Sequence, residues 1–489
     1  VHLPHQQVAR VGARQLRLVG THVPGGEIAM AGGTKVRFVR RGLGAFVFVA
    51  LAALLLAAPC SAQRRVVVGQ EDSMPASAEL KAAAVDSISW ALNKTYVFED
   101  VAKEMEKHIR KKLKRGEYAE LGTIDDFTRQ LTADLREISS DRHLGVQFMS
   151  DELLEEYRQG DEDPDVAHQL VFERGKKRNF GFRKLEIMDG NVGYMKLDGF
   201  NDTSFSGPTA VAAMNFLGYT DALIIDLTEN GGGSPSLIQT IMAYLLDDST
   251  HLNSFYIRDG DSLQQFWSAP YVPGPAMDDV ELYVLTSGYT FSAAEEFTYN
   301  VKNLKRGTIV GETTGGGAHP VTSCLFPSLN MGMRVSYGRA INPISGTNWE
   351  GTGVTPDIEV PTDQALDAAY LNALTRLRER DVSDEEAFTL DWAIVGLDAG
   401  LNPVEVDVAT LESYAGDYGP RHLRVEDGRL VYQRDDRDPF VATPMTEILF
   451  GFDALPYFRL EVVLGSDGVP VKLIGHYDNG RTDENPRDL

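Results

Sequence analysis

The most constraining feature of this sequence lies at residues 282–297, where an apolar strand leads through a tight turn into a helix. The apolar run Leu282–Leu285 is typical of a buried strand, and Ser292 begins a run with helical character. A serine at a helix start lies beside free backbone N–H groups, which favour a developing negative charge. Taken alone, Ser292 is more simply interpreted as an N-cap. The stretch becomes informative in combination with other segments.

Glycine-rich turns adjoin strand-like runs at Asp226-Leu-Thr-Glu-Asn-Gly-Gly-Gly233 and at Gly311-Glu-Thr-Thr-Gly-Gly-Gly-Ala-His-Pro320. Between residues 209 and 310, helix-like runs alternate with strand-like runs. This order predicts an α/β fold with a βαβ core and a mostly parallel sheet. Such folds place their sites beyond the carboxyl ends of the strands. We therefore expect the first glycine turn and Ser292 to lie at the same edge of the sheet.

Five segments of the chain, in the order in which they follow one another, resemble the core of the S41 peptidases. This is the family of the tail-specific proteases and the tricorn protease core. The similarity covers about Ala78 to Val360 and includes features of the branch that also contains interphotoreceptor retinoid-binding protein. The resemblance implies a ClpP/crotonase-like βαβ core, a helical domain before it, and serine peptidase activity on protein or peptide substrates. The five segments are Asp141-Arg-His143, residues 226–233, Thr290-Phe-Ser-Ala-Ala-Glu-Glu-Phe297, residues 309–320 and residues 349–360.

Acyl transfer needs a nucleophile, a general base, a group that orients the base, and donors for the oxyanion. The resemblance implies that Ser292 is the nucleophile, His143 the base and Glu350 the carboxylate that completes the arrangement. The backbone N–H of Ala293 is expected to be one oxyanion donor. Gly232 is expected to supply the second, because a residue without Cβ allows close approach to a substrate carbonyl.

The sequence departs from the family pattern around the base. Tail-specific proteases use a lysine in the segment that corresponds to residues 311–320, and this chain has glycine or alanine there. His319 lies near that position and is the rival base, with a pocket or structural role as its other interpretation. The tricorn pattern has a serine directly before the histidine, where this chain has Arg142. Ser140 or a water molecule is therefore a candidate for the link between His143 and Glu350.

Composition and turn signals divide the chain further. Short strands between polar turns predict an all-β module at the C-terminus, and residues 161–165 form an acidic run expected to be a linker. The predicted organisation is an upstream non-native extension at 1–29, a signal peptide at 30–62, an N-terminal helical domain at 72–160, the peptidase core at 175–362, a helical connector at 363–405 and the β-module at 406–489.

The signal peptide is predicted from a basic segment after Met30, the apolar run Leu43–Ala58, and a cleavage site at Cys60-Ser61-Ala62. It implies export to the periplasm or the extracellular space, with lipidation of Cys60 left open. No later segment has about 20 continuous apolar residues, so we expect no integral membrane segment after cleavage.

A formal net charge of −24 disfavours binding to nucleic acid and to anionic membranes. The ten histidines show no metal-ligand spacing, so no metal or other cofactor is expected. Cys324 alone would remain after signal cleavage and could form no internal disulfide. The rival to an enzyme is a non-catalytic protein with this fold that binds apolar ligands, because retinoid-binding relatives keep the fold without proteolysis.

Overall fold

The computed structural model describes residues 74–488. The predicted extension at 1–29 and the predicted signal peptide at 30–62, with Cys60, lie outside the described residues. No helix in residues 74–488 combines the length and apolar character that a membrane span requires.

The N-terminal region is helical, as predicted, because polar caps start its helices and apolar residues at helical spacing form a shared core. Ser77 and Thr123 accept hydrogen bonds from the backbone N–H groups of Leu80 and Asp126, each at 3.1 Å. The helices are α1 (Ala78–Thr95), α2 (Glu99–Lys114), α3 (Ile124–Ser139), α4 (Asp151–Glu162) and α5 (Pro164–Lys177).

The prediction of a linker at residues 161–165 was wrong. Helix α4 ends at Glu162 and α5 begins at Pro164. Asp163 caps α5 by accepting a hydrogen bond from the N–H of Asp165 at 3.0 Å, and a proline at the first helical position suits a helix start. The acidic run therefore ends one helix and starts the next.

The core is a six-stranded sheet in the order β12-β8-β7-β4-β3-β2, parallel except for the antiparallel pair β2–β3. This confirms the predicted α/β class and the mostly parallel sheet. Its strands are β2 (Phe182–Met188), β3 (Val192–Leu197), β4 (Ala222–Asp226), β7 (Glu281–Thr286), β8 (Thr308–Gly311) and β12 (Ile358–Glu359).

Alternate residues of each central strand face opposite helical layers, as the period of two requires. Leu223 and Ile225 of β4 pack with α6 (Thr203–Leu217), α7 (Pro235–Leu245) and α8 (Ala293–Asn303). Ala222 and Ile224 pack instead with α9 (Ala365–Arg378) and α10 (Asp384–Leu401). Both faces are thus buried, which explains why these strands are continuously apolar.

Two three-stranded antiparallel sheets flank the core. In one, β1 pairs with β10, and Met331, Met333 and Val335 of β10 belong to the core of the helical region. This pairing joins the helical region to residues 321–336. The sheets are β1 (Gly145–Phe148), β10 (Met331–Ser336) and β9 (Val321–Phe326), and β11 (Gly338–Ile341), β5 (His251–Ile257) and β6 (Ser262–Trp267).

The C-terminal region contains two antiparallel sheets with a core of their own. The β-module predicted at 406–489 is not entirely β, because it begins with helix α11 (Val408–Tyr414), which Asp407 caps. Its strands are β13 (Gly416–Tyr418), β14 (Arg421–Glu426), β15 (Arg429–Arg434), β16 (Phe440–Val441), β17 (Thr443–Pro444), β18 (Leu449–Gly451), β19 (Phe458–Leu464), β20 (Pro470–Tyr477) and β21 (Thr482–Pro486).

Candidate active site

Ser292 occupies a sharp turn between β7 and α8 in a backbone conformation that a non-glycine residue rarely adopts. Its φ is 56° and its ψ is −120°. Such a conformation costs on the order of 1–3 kcal/mol and persists where surrounding contacts enforce it. Gly232 supplies one such contact, because a Cβ built on it would lie 2.7 Å from the Ser292 Cβ. The turn can form only against a glycine.

The two predicted oxyanion donors lie beside Ser292, in different hydrogen-bonding situations. Ala293 is the first residue of α8, where backbone N–H groups have no partner within the helix. The Gly232 N–H donates to Asn230 Oδ1 at 2.9 Å. Asn230 is fully buried and its Nδ2 donates to the Leu197 carbonyl at 2.7 Å. Asn230 thus holds the glycine turn, a role that the sequence reasoning missed.

Glu295 is a second missed residue, and it connects Ser292 to the glycine loop after β8. Its Oε2 accepts hydrogen bonds from the N–H groups of Ser292 and Gly317, both at 2.8 Å. Its Oε1 accepts from the Thr314 hydroxyl at 2.5 Å and from the Gly316 N–H at 2.6 Å. Burial raises the pKa of Glu295 to about 7, although these four donors favour the charged form. Its position three residues after a helix-start serine is the capping-box spacing, which could have revealed it.

His143 is buried next to the glycine loop and the residue that precedes Ser292. Its ring centroid lies 4.6 Å from that of Phe291, and neither ring nitrogen has a hydrogen-bond partner among the described residues. Asp141 Oδ1 accepts from the His143 backbone N–H at 2.9 Å. Burial lowers the pKa of His143 to about 3, and the charge of Asp141 opposes this. The imidazole is therefore neutral near pH 7, the form that can accept a proton.

Glu350, which is partly buried, and the buried His319 form an adjacent pair. Glu350 Oε2 accepts from the Ala318 N–H at 2.6 Å and lies 3.8 Å from His319 Nδ1. Glu350 Oε1 and His319 Nδ1 have no hydrogen-bond partner in the described part of the chain. Burial, reinforced by the charge of Asp141, raises the pKa of Glu350 to about 8. Burial also lowers the pKa of His319, so both side chains are neutral at pH 7.

The structure does not bring Ser140 between His143 and Glu350. Ser140 is exposed at the C-cap of α3 with a φ of 56°, and none of its described hydrogen bonds reaches either residue. Tyr96 approaches this space instead. It is buried, and its pKa is raised by burial and by the charges of Asp141 and Glu350.

Arg142, which stands where the tricorn pattern has serine, contacts the glycine loop. Its guanidinium donates a hydrogen bond to the Gly315 carbonyl. A Cβ built on Gly317 of the same loop would lie 2.8 Å from His143 Cε1. The loop therefore packs directly on the imidazole.

One group of described residues could in principle hold a metal ion, on α2 and α3. Ligand atoms of His108, Asp134 and Glu137 lie within 4.8 Å of one another. Asp134, however, pairs with Lys112 at 2.7 Å and accepts from the Tyr118 hydroxyl at 2.7 Å. A lysine ammonium already balances the buried carboxylate, which disfavours a second cation.

Comparison with known proteins gives two family matches. The model of peptidase family S41 matches residues 191–360, and the model of the N-terminal domain of S41 peptidases in eukaryotic IRBP matches residues 78–176. Together they include the segments that carry Ser292, Gly232, Glu350 and His143.

Curated relatives are similar over part of their length. The chloroplastic C-terminal processing peptidase of Tetradesmus obliquus is 28% identical over 186 residues, 35% of this chain and 37% of that protein. The carboxy-terminal-processing protease of Bartonella bacilliformis is 26% identical over 194 residues, 37% of this chain and 41% of its own. The chain thus spans about two fifths of these relatives. A solved photosystem II D1 C-terminal processing protease matches 58% of this chain and 93% of its own, with 16% identity and a TM-score of 0.38.

Proposed function

Because the chain belongs to peptidase family S41, a family of serine peptidases, we propose that it hydrolyses peptide bonds through an acyl-enzyme formed on Ser292. The observation that carries this proposal is the strained turn at Ser292. A serine held at φ 56° at the start of a buried helix, against a glycine, is suited to attack a carbonyl carbon. An N-cap serine with ordinary backbone angles would need no such support.

In the proposed mechanism His143 takes the proton of the Ser292 hydroxyl as Oγ attacks the substrate carbonyl. The oxyanion that forms is bound by the Ala293 N–H at the positive end of α8, with the Gly232 turn completing the site. The proton then passes from His143 to the leaving amine, and water hydrolyses the ester by the reverse sequence. His143 becomes an imidazolium in each half-reaction, and the nearby Asp141 carboxylate stabilises that charge.

Glu350 is proposed to act on this site in its neutral form. With its pKa raised to about 8, the carboxyl can donate a hydrogen bond at pH 7, and Oε1 is unengaged within the described residues. The Glu350–His319 pair replaces Ser140 as the candidate for orienting His143. This arrangement suits a histidine that must remain neutral until it receives the serine proton.

The test is covalent labelling with a serine-directed fluorophosphonate, followed by peptide mapping. We expect one label per chain, on Ser292, and none on the Ser292→Ala variant. Labelling at another serine would refute the assignment. A folded protein that resists labelling and binds a fluorescent fatty acid would instead support the apolar-ligand alternative.

We also propose export, on the basis of the predicted signal peptide at residues 30–62. Expression of the full chain in a bacterial host, followed by fractionation and N-terminal sequencing, tests this. A mature N-terminus near residue 63 in the exported fraction is expected. An uncleaved protein retained in the cytoplasm would contradict the proposal.

A further inference from the structure

A groove runs along the outer edge of β2. This strand ends the central sheet, and no described strand pairs with its outer edge. Between β2 and α6 lies a space of about 650 Å³, lined by Phe182, Leu185, Pro208 and Ala212 among others. The edge of a sheet presents unpaired backbone N–H and carbonyl groups, which another extended chain can pair with.

Apolar side chains from both β2 and α6 line the groove, and Asn179, Arg183, Lys184 and Thr209 add polar and basic groups to its lining. Pro208, Ala212 and Phe216 recur every four residues on one exposed face of α6. Phe216 is 52% exposed, and Ile187, which lies farther along β2 and outside the lining of the groove, is 49% exposed. A free strand edge beside an apolar helix face suits an extended peptide, whose backbone pairs with the strand while alternate side chains enter the groove.

The head of the groove, residues 174–184, is basic although the chain as a whole is acidic. The chain has a net charge of −24, yet residues 174–184 contain six basic residues and no acidic one. Arg174, Lys176, Arg183 and Lys184 pair with carboxylates. No carboxylate of the described chain lies within ion-pair distance of the exposed Lys177 and Arg178, which immediately precede the groove residue Asn179.

A series of close backbone contacts links this head to the nucleophile. A Cβ built on Gly181, next to Phe182, would lie 2.4 Å from the Gly199 carbonyl oxygen. A Cβ on Gly199 would lie 3.7 Å from the Gly232 carbonyl oxygen, and Gly232 contacts Ser292. The groove therefore begins at the catalytic edge of the sheet.

Arg178 faces the same edge. Burial raises the pKa of Tyr289, and the charge of Arg178 opposes that rise, so Arg178 is within electrostatic range of the phenol. Tyr289 in turn lies 3.9 Å from a Cβ built on Gly231. A chain leaving the catalytic turn would pass Arg178 before it entered the groove.

We propose that the groove between β2 and α6 binds an extended acidic segment of the substrate polypeptide by strand addition to β2, with acidic side chains facing Lys177 and Arg178. This inference rests on the proposed function, because it assigns the groove to the same substrate that Ser292 attacks. Backbone pairing supplies affinity, and the unpaired cations select acidic sequences.

The test uses the full chain with Ser292→Ala, so that bound peptide is not cleaved. The probe is a fluorescein-labelled peptide with alternating valine and threonine at its centre and two aspartates at each end, followed by fluorescence anisotropy. We expect it to bind at least about tenfold more tightly than the same peptide with lysines in place of the aspartates. N-methylation of alternate central residues removes backbone donors and should abolish binding of the aspartate peptide.

Variants with matched controls locate the site. Phe216→Asp and the double change Lys177→Glu and Arg178→Glu should each weaken binding about tenfold or more. Trp90→Asp, at an exposed aromatic residue of α1, and the double change Lys107→Glu and Lys111→Glu on α2 should leave binding within about twofold. Thermal melting of every variant separates lost binding from lost folding.

Other outcomes overturn the proposal. Equal binding of the aspartate and lysine peptides, or unchanged binding by Phe216→Asp, would exclude the groove as an acidic-peptide site. If the protein is a dimer that Phe216→Asp makes monomeric, and no peptide binds, the groove is a self-association surface. Fluorophosphonate labelling of the unsubstituted protein keeps the two failures distinguishable, because labelling at Ser292 without peptide binding refutes the groove alone, whereas no labelling at Ser292 refutes the proposed function.

Discussion

Replacement of Glu295 by glutamine tests whether this carboxylate fixes the geometry of the proposed site. Its two oxygens accept four hydrogen bonds, from Ser292, Thr314, Gly316 and Gly317. A glutamine has one acceptor oxygen, and its NH₂ group would face two donors. A buried donor left without a partner costs about 1–3 kcal/mol, so Glu295→Gln should disfavour the observed arrangement by roughly 2–6 kcal/mol.

Part of that cost is offset, because the glutamine removes a charge whose burial is unfavourable. If about 3 kcal/mol reaches the transition state, the rate falls by about two orders of magnitude. The measurement is the second-order rate constant of fluorophosphonate labelling at Ser292, which requires no known substrate. Glu296→Gln is the matched control, since Glu296 is the next residue, is buried, and has a pKa that burial raises to about 7. It accepts no described hydrogen bond from the glycine loop, and we expect a change of no more than about threefold.

The same pair of variants gives a pH test. Below about pH 7 Glu295 gains a proton, and the protonated oxygen can no longer accept from both of its donors. Labelling of the wild-type protein should therefore fall as pH drops through 7, well above the pKa of about 3 for His143. The labelling rate of Glu295→Gln, which is already low, should not fall further as pH drops through 7. The labelling rate of Glu296→Gln should show the same fall as the wild-type protein. Labelling of Glu295→Gln at the wild-type rate, or the same fall with pH in this variant, would refute the reasoning.

Four further outcomes are expected. Ser292→Ala should abolish peptidase activity and labelling but leave the melting temperature within a few degrees, as it deletes one hydroxyl; full activity would refute the nucleophile. His143→Ala should lower labelling by about 10²–10⁴-fold and far more than His319→Ala, since it removes the proposed base; the opposite ranking would move the base to His319. The raised pKa of Glu350 means that the folded state keeps a proton that the unfolded state loses, so the stability of the folded state falls between about pH 4 and pH 8. Denaturation curves should show that Glu350→Gln loses less stability over this window, by up to about 5 kcal/mol, and parallel pH profiles of the two proteins would contradict this. Residues 63–406, without the C-terminal module, should fold and label at Ser292, and loss of both a cooperative melt and labelling would place the module in the catalytic core.

The sequence predicts the mostly parallel sheet well because the strands of the core are buried on both faces. Strands such as Ala222–Asp226 and Glu281–Thr286 are apolar nearly throughout, and helix-like runs separate them. Ser292 and Gly232 both follow such strands, so their approach could be inferred from the topology. The positions of Ser292 and Gly232 could therefore be predicted from the local pattern of apolar strands followed by turns.

The remainder of the site depends on contacts between distant segments. Glu295 is charged and lies in a helix, where the usual interpretation is an exposed side chain, yet it is fully buried. The pairing of β1 with β10 brings Asp141 to Ser336, whose hydroxyl donates to it at 2.6 Å. No spacing rule predicts a contact across 195 residues. The exposure of Ser140 has the same origin, since it follows from where α3 ends against the core.

Arg142 and Glu295 together suggest how this site does without the serine of the tricorn pattern. Arg142 holds the glycine loop through the Gly315 carbonyl, from the side of His143. Glu295 holds the same loop through Gly316 and Gly317, from the side of Ser292. Three successive glycines are thus fixed at both ends between the proposed base and the proposed nucleophile. Because the loop contacts the imidazole directly, a substitution on either side changes the position of the base relative to the serine. In this chain the residue before His143 therefore acts through the position of the loop, and the pair of His319 and Glu350 is the proposed group for orienting the imidazole.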